Sequence, residues 1–120
     1  MDLTSYKNFT DKTAIYQESI QSISPDNKNK CLELSYVLLG LSGEVGEINN
    51  VAKKIIRDSN GEISESITNT LKKELGDVFW YTARLCKILN VSMDEVIEQN
   101  VLKLSKRLEA GTIKGSGDNR

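Results

Sequence analysis

Residues 31–57 read CLELSYVLLGLSGEVGEINNVAKKIIR. Within this stretch, apolar residues recur at steps of three and four positions, which is the spacing that lines one face of an α-helix. The residues on that face are Leu34, Leu38, Leu41, Val45, Ile48, Ala52 and Ile55. Because no proline interrupts the repeat, the pattern predicts one long helix.

The same pattern returns in residues 63–89, which read ISESITNTLKKELGDVFWYTARLCKIL. Here the repeating residues are Ile63, Ile67, Leu71, Leu75, Val78, Thr82, Leu85 and Leu89. Between the two stretches, residues 58–61 (DSNG) are typical of a tight turn. The order of helix, turn and helix predicts a long antiparallel helical hairpin.

A shorter helix is expected before the hairpin. Thr4 is a good N-cap residue, and helical spacing of apolar residues continues from there to about Tyr16. Residues 22–30 are polar and contain the only proline of the chain, Pro25, so they are predicted to form a loop.

A fourth helix is expected after the hairpin. Ser92 and Glu95 have the spacing of a capping box, and the helix should end near Gly111. Residues 111–120 are rich in glycine and lack a helical pattern, which predicts a mobile tail. The expected fold class is therefore all-α, a single domain over residues 1–120 in which short N-terminal and C-terminal helices flank the hairpin of a helical bundle.

The composition excludes several kinds of catalytic site. Lysine and arginine number 16 against 17 aspartates and glutamates, so no net charge favours a nucleic-acid partner. The chain has no histidine, which rules out Ser-His-Asp and Cys-His nucleophile systems and histidine-based zinc helices. An enzyme of this composition has to rely on carboxylates, amines, hydroxyls or a metal ion bound by oxygen atoms.

Targeting signals and cysteines indicate a soluble cytoplasmic protein. The first residues carry charges where a signal peptide would be apolar, and no apolar run reaches the roughly 18 residues of a membrane span. Cys31 and Cys86 are the only cysteines and are expected to be free thiols. We therefore expect no membrane partner.

Two acidic motifs in the long helices have the same spacing. Glu44 and Glu47 lie three positions apart in the first helix, as do Glu74 and Asp77 in the second. Residues three apart are only about 60° apart around a helix, so each pair shares a face. If the hairpin is centred between residues 60 and 61, Glu44 lies level with Asp77, and Glu47 with Glu74.

Four carboxylates at one height repel one another unless a cation binds them. Oxygen ligands with no histidine or cysteine nearby favour Mg²⁺, for which Mn²⁺ could substitute. The alternative is an acidic face exposed to solvent, which is common on helices. The mirrored register favours the metal site.

The predicted fourth helix carries a polar stripe of Asn100, Lys103 and Arg107, spaced by three and four. Lysine and arginine could bind phosphate oxygens, and asparagine a sugar or phosphate oxygen, although a solvated edge explains the stripe equally well. Lys54, seven residues after Glu47, could add a positive charge. Together with the acids and Mg²⁺, these residues suggest a polyphosphate ligand.

Two aromatic residues flank the second acidic motif. Trp80 and Tyr81 follow Asp77 by three and four positions, so either ring could stack on a nucleobase. Packing in the core or between subunits is the more usual role of aromatic residues on helices. The spacing alone leaves both alternatives open.

Four segments occur in order: 39–47 (LGLSGEVGE), 53–54 (KK), 74–81 (ELGDVFWY) and 100–107 (NVLKLSKR). Together they resemble the MazG-like nucleoside triphosphate pyrophosphohydrolases. The ending, residues 115–120 (GSGDNR), is similar to that of small single-domain members that are often bacterial or phage-associated.

The resemblance implies an all-α fold related to dimeric dUTPases and phosphoribosyl-ATP pyrophosphatases. It also implies hydrolysis of a nucleoside or deoxynucleoside triphosphate to the monophosphate and pyrophosphate, with metal-bound water as the nucleophile. The implied Mg²⁺ ligands are Glu44, Glu47, Glu74 and Asp77. The implied substrate-binding residues are Lys54, Asn100, Lys103 and Arg107, with Lys114 and Arg120 in a tail that folds over the phosphates.

The sequence departs from some relatives beside the acidic motifs. Those relatives have an extra glutamate just before each pair, where this chain has Gly43 and Lys73. Asn50 stands where many relatives have another acid. We therefore assign no dedicated general base.

A homodimer or homotetramer is expected, because the hairpin has more apolar surface than two short helices can cover. Two alternatives to the proposed hydrolysis stay open. One is a phosphoribosyl-ATP pyrophosphatase or dUTPase-like enzyme of the same superfamily. The other is a non-catalytic helical interaction protein, which would share the apolar stripes without needing the acids.

Overall fold

The computed structural model describes residues 1–25 and 30–119, and this part of the chain is helical and contains no strand. The expected all-α fold class is therefore confirmed. The helices in chain order are α1 (Leu3–Phe9), α2 (Tyr16–Ile23), α3 (Lys30–Asp58), α4 (Glu65–Ile88) and α5 (Met93–Glu109), with a short 3₁₀ turn at Thr10–Lys12.

The antiparallel hairpin of α3 and α4 forms the centre of the fold, as predicted. Its turn depends on Asn60 and Gly61, which have φ angles of 50° and 80°. The Gly61 N–H donates to the Ile55 carbonyl at 3.0 Å, so the turn also satisfies the end of α3.

The register of the hairpin is set by a close contact between Gly40 and Tyr81. A Cβ atom on Gly40 would lie 2.2 Å from the Tyr81 ring, so only glycine allows the helices to approach this closely. Gly40 and Tyr81 are equally distant in sequence from the midpoint between residues 60 and 61. This is the register that the mirrored acidic motifs predict.

The buried faces of the two helices differ from the predicted ones. Val45 and Leu75 belong to the predicted apolar faces, but they are 43% and 46% exposed. On α3 the buried line instead passes through Val37, which is fully buried, and Glu44 lies two turns further along that line. The apolar band is wider than the contact between two helices, so its spacing alone does not show which edge is buried.

The N-terminal segment is two helices rather than the single helix predicted from Thr4 to Tyr16. The cap of α1 is Asp2, whose carboxylate accepts a hydrogen bond from the Ser5 N–H at 2.7 Å. Between α1 and α2, the Thr13 hydroxyl accepts a hydrogen bond from the Trp80 indole at 2.7 Å. A partner on α4 therefore fixes the break, which local sequence patterns do not reveal.

The predicted loop at residues 22–30 is shorter than expected where the structure describes it. Helix α2 continues to Ile23, and α3 begins at Lys30. Residues 26–29 lie outside the described part of the chain.

The core consists of two small clusters of buried residues. The first joins α2 to α3 and α4 through Ala14, Tyr16, Ile20 and Val37. The second joins α4 to the start of α5 through Ala83, Cys86 and Met93. Cys86 is a free thiol, as expected.

Helix α5 packs on α1, and most of its apolar surface is uncovered. Ser92 caps the helix by accepting from the Asp94 and Glu95 N–H groups, as its sequence predicts. Val101 and Leu108 on its apolar face are 57% and 71% exposed. Within the described residues, none of the helices has both the length and the apolarity needed to cross a bilayer.

Residues 111–119 turn back along α5. Gly111 has a φ angle of 68°, and the Thr112 N–H donates to the Arg107 carbonyl at 2.8 Å. The Gly111 N–H donates to the Leu108 carbonyl at 3.1 Å, which completes a Schellman motif. The helix therefore ends as predicted, but the tail after it contacts α5 again.

Candidate metal centre

Three carboxylates from the two long helices converge at one point of the hairpin. Oxygen atoms of Glu44 on α3 and of Glu74 and Asp77 on α4 all lie within 4.8 Å of one another. Ligands on one Mg²⁺ ion, each about 2.1 Å from it, are no more than about 4.2 Å apart. Small side-chain rotations would therefore suffice for all three residues to reach the same ion.

Glu44 lies in an electrostatically unfavourable environment. Its side chain is half-buried between the helices. Burial raises the pKa of Glu44, and the negative charges of Asp77, Glu74 and Glu47 raise it further. A cation bound here would remove both penalties, because it would replace lost water and balance the repulsion.

Glu47 was predicted as a fourth ligand, but it is not part of this group. It lies close enough to raise the pKa of Glu44, yet its side chain is exposed. Residues three apart differ by about 60° around a helix, so when Glu44 faces α4, Glu47 is turned towards solvent. Its role as a ligand stays a prediction.

Two tyrosine hydroxyls lie beside the acids. Burial raises the pKa of Tyr81, and Tyr36 and the charge of Glu44 contribute further. Burial also raises the pKa of Tyr6, with a further contribution from the charge of Asp77. Tyr6 donates a hydrogen bond to the Gly76 carbonyl at 3.5 Å. Sequence reasoning missed Tyr6 and Tyr36, because only the packing of distant segments brings them here.

The Trp80 ring is engaged in core packing. Its indole N–H is bonded to Thr13, and the ring makes edge contacts with Tyr81 and Tyr16 at centroid distances of 4.9 and 6.2 Å. These contacts favour the packing interpretation of Trp80. Base stacking by either Trp80 or Tyr81 stays a prediction.

Arg84 is a third residue that the sequence reasoning missed. Its side chain is only 2% exposed, and its guanidinium donates to the Asp11 carboxylate at 2.7 Å and to the Tyr16 hydroxyl at 3.1 Å. Glu33 lies 3.6 Å from the same guanidinium, and Lys87 also pairs with Asp11. These contacts compensate the buried charge and anchor the N-terminal helices on α4, next to the acids.

Two cations of α5 are paired with the tail. Lys103 and Arg107 pair with Asp118 of the tail, at 3.4 and 3.1 Å. Asn100 is exposed. The role of Asn100, Lys103 and Arg107 in binding substrate stays a prediction, and α5 itself packs on α1.

The remaining predicted cations lie elsewhere on the surface. Lys54 is exposed on α3, and its charge contributes to a lowered pKa of Asp58, although Arg57 is the main cause. Lys114 is exposed on the tail. Arg120 lies outside the described residues, so the structure does not place it.

Comparison with known proteins gives the family. The family model of the MazG nucleotide pyrophosphohydrolase domain matches residues 33–111, a span that holds the acidic group and α5. The Gene 37 protein of Mycobacterium phage L5 is 51% identical over 87 residues, which cover 72% of this chain and 76% of that protein. No solved structure matches significantly. This chain belongs to the MazG nucleotide pyrophosphohydrolase family.

Proposed function

We propose that the protein hydrolyses nucleoside or deoxynucleoside triphosphates to the monophosphate and pyrophosphate, in a reaction that depends on Mg²⁺. The observation that carries this proposal is the convergence of Glu44, Glu74 and Asp77 at oxygen distances within 4.8 Å. Glu47 is the proposed fourth ligand. Mn²⁺ would substitute for Mg²⁺.

The chemistry of the acidic group fits a small divalent cation. All available ligands are carboxylate oxygens, and no histidine exists in the chain to favour zinc, copper or iron. The raised pKa of Glu44 supports the same fit, because a half-buried acid beside three others is unfavourable without a counter-charge. A bound divalent cation supplies two things, neutralisation of phosphate charge and acidification of water.

The chain's own residues position and balance the reacting groups. Close contact between Gly40 and Tyr81 holds α3 against α4 and so fixes the spacing of the acids. Lys103 and Arg107 are suited to bind the triphosphate oxygens and to stabilise the negative charge that develops on them. Loss of the Gly40–Tyr81 contact should lower the rate of hydrolysis by moving the acids apart. Loss of Lys103 or Arg107 should lower it by weakening the binding of the triphosphate.

We further propose that the active form is a homodimer, or a homotetramer built from such dimers. The apolar face of α5 and the outer face of the hairpin are both exposed in one chain, and Val45, Leu75 and Phe79 belong to the second of these surfaces. If α5 of one copy packs on the hairpin of another, its cations would lie near the acids of that second copy. Assembly would then complete the site.

One product assay tests the proposed reaction. Purified protein is incubated with Mg²⁺ and a panel of ribo- and deoxyribonucleoside triphosphates, and the products are separated by anion-exchange chromatography. Monophosphate and pyrophosphate are expected. A diphosphate with orthophosphate would contradict the proposal, and a single accepted substrate such as dUTP would favour the dUTPase-like alternative.

Matched variants assign the activity to the acidic group. Glu74→Gln should abolish hydrolysis, whereas Glu62→Gln removes the same charge from the exposed turn between α3 and α4 and should keep it. If the wild type and both variants are equally inactive and equally oligomeric, the protein is a helical interaction protein instead.

A further inference from the structure

Arg107 is an unusual cation for the surface of a helix. Its side chain is only 7% exposed, although α5 is largely exposed. Its Nη2 atom donates to the carbonyl oxygens of Gly117 and Asp118 and to the Asp118 carboxylate, each at 3.1 Å. Its Nε atom is buried and has no hydrogen-bond partner in the part of the chain that the structure describes. The guanidinium is therefore incompletely satisfied by the tail.

The same Asp118 carboxylate serves a second cation. The Oδ1 atom that accepts from Arg107 also lies 3.4 Å from Lys103 Nζ. Lys106 lines the same cavity of about 350 Å³ but has no ion pair among the described residues. Three cations thus surround a single carboxylate, and the cavity retains an excess of positive charge.

The tail is held in place by contacts that can be exchanged. Asp118 is 81% exposed and Lys103 is 42% exposed, and ion pairs between exposed side chains contribute little net stability. Gly115 and Gly117 have φ angles of 129° and 83°, which let the chain bend back onto α5. Only a few contacts therefore separate the tail-bound arrangement from one in which the cations are free.

We propose that Asp118 occupies the phosphate-binding surface of α5 as an internal competitor, which the phosphate chain of the substrate must displace from Lys103 and Arg107. The proposal rests on the proposed function in one respect, because the displacing anion is taken to be the polyphosphate of a nucleotide. A carboxylate brings one negative charge, whereas a triphosphate brings several and can also pair with Lys106.

The competition predicts selectivity by charge. An anion with one or two charges gains little over Asp118, so it would not displace the tail. A triphosphate gains one further cation and covers the arginine Nε atom that lacks a partner. We therefore expect affinity to rise steeply from phosphate through pyrophosphate to tripolyphosphate.

Binding of tripolyphosphate to the full chain tests the proposal. Isothermal titration calorimetry is performed at low ionic strength with EDTA, so that the acidic metal centre takes no part. Asp118→Asn and Asp118→Ala should bind tripolyphosphate about three- to tenfold more tightly than the wild type, since the anion no longer has to displace the Asp118 carboxylate from Lys103 and Arg107.

Asp94→Asn is the matched control. It removes the same charge from α5 about 13 Å along the helix from Lys103, and Asp94 has no ion pair among the described residues. Its affinity should stay close to that of the wild type. If the Asp94 and Asp118 variants gain equally in affinity for tripolyphosphate, the change in net charge explains the gain and the proposal is overturned. The absence of any gain in affinity in the Asp118 variants would also overturn it.

Amide NMR spectra supply a readout that does not depend on affinity. In the wild type, added tripolyphosphate should move the amide signals of residues 115–119 towards their unstructured positions. Signals that stay in place while the anion binds would overturn the proposal. Neither experiment measures hydrolysis, so the two proposals can fail independently. If the protein shows these effects but does not hydrolyse nucleotides, the proposed function is refuted and the competition by Asp118 is not.

Discussion

Replacing Gly40 with alanine should separate the two helices that carry the acidic group. The added Cβ would lie 2.2 Å from Tyr81 Cε1 and 2.3 Å from Tyr81 Cζ. Carbon atoms in ordinary contact are about 3.5 to 4.0 Å apart, so the ring or the helix must move by more than about 1 Å. Overpacking of this kind costs about 1 to 3 kcal/mol.

Gly43→Ala is the matched control for this substitution. A Cβ at Gly43 meets no atom within 4 Å, so alanine there brings only its better helix propensity, worth about 1 kcal/mol. The two variants share the gain in helix propensity, and only Gly40→Ala adds the cost of overpacking. Their free energies of unfolding should therefore differ by about 1 to 3 kcal/mol, with Gly40→Ala the less stable variant.

Urea denaturation followed by circular dichroism measures this difference. Tyr81→Leu should partly rescue Gly40→Ala, because a shorter, flexible side chain leaves room for the methyl group. Gly40→Ala should also weaken Mn²⁺ binding, since the acids of α3 and α4 move apart. If Gly40→Ala is as stable as Gly43→Ala, the close approach of the two helices is refuted.

Three further predictions concern the rest of the chain. Arg84→Met should lower the free energy of unfolding by about 2 to 3 kcal/mol in urea denaturation, because it leaves buried partners unpaired. Lys87→Met removes a more exposed partner of Asp11 and should lower it by less than about 1 kcal/mol. Burial raises the pKa of Tyr16 from 10.0 to about 12, so the folded state holds its proton longer than the unfolded state does. Stability should fall as the pH rises from about 10 to about 12, and the fall should be smaller in Tyr16→Phe. Finally, Glu74→Gln and Arg107→Gln chains, each inactive alone, are mixed in equal amounts. If each site uses residues of both copies of a dimer, half of the dimers carry one intact site of two, so about one quarter of wild-type activity should return. No recovery would indicate that each chain completes its own site.

The hairpin was predictable because its signal is long and repeated. Helical spacing continues through both stretches, and Asn60 with Gly61 supplies the left-handed backbone that a tight reversal requires. The approach of Glu44 to Asp77 follows from that turn, since the position of the reversal fixes which residues lie level. The local sequence was therefore sufficient to predict that Glu44, Glu74 and Asp77 lie close together.

The buried edge of each helix was not predictable in the same way. Val45 and Leu75 belong to the apolar spacing but are exposed, whereas Glu44 lies on the buried line. A wide apolar band indicates that a helix packs against other helices on two sides. Only the folded structure shows which edge of the band each of those helices covers. The exposed edge is the one that we assign to a second copy.

Contacts between distant segments account for the other differences. The break between α1 and α2 is fixed by hydrogen bonds from Trp80 and Arg84, which lie far away in the sequence. Similarly, composition indicated a mobile tail, but the pairing of Asp118 with Lys103 and Arg107 brings it back onto α5. A hint was available for Arg84, because it follows Asp77 by seven residues and so shares its helical face.

Metal affinity tests the central claim most directly, namely that Glu44, Glu74 and Asp77 form one divalent-cation site. The concentration of free Mn²⁺ can be followed by electron paramagnetic resonance while protein is added. The wild type and Glu62→Gln should bind Mn²⁺ with the same affinity, and Glu74→Gln should bind at least about tenfold more weakly, since a ligand of the ion is lost. Equal Mn²⁺ affinity in all three proteins would contradict the account.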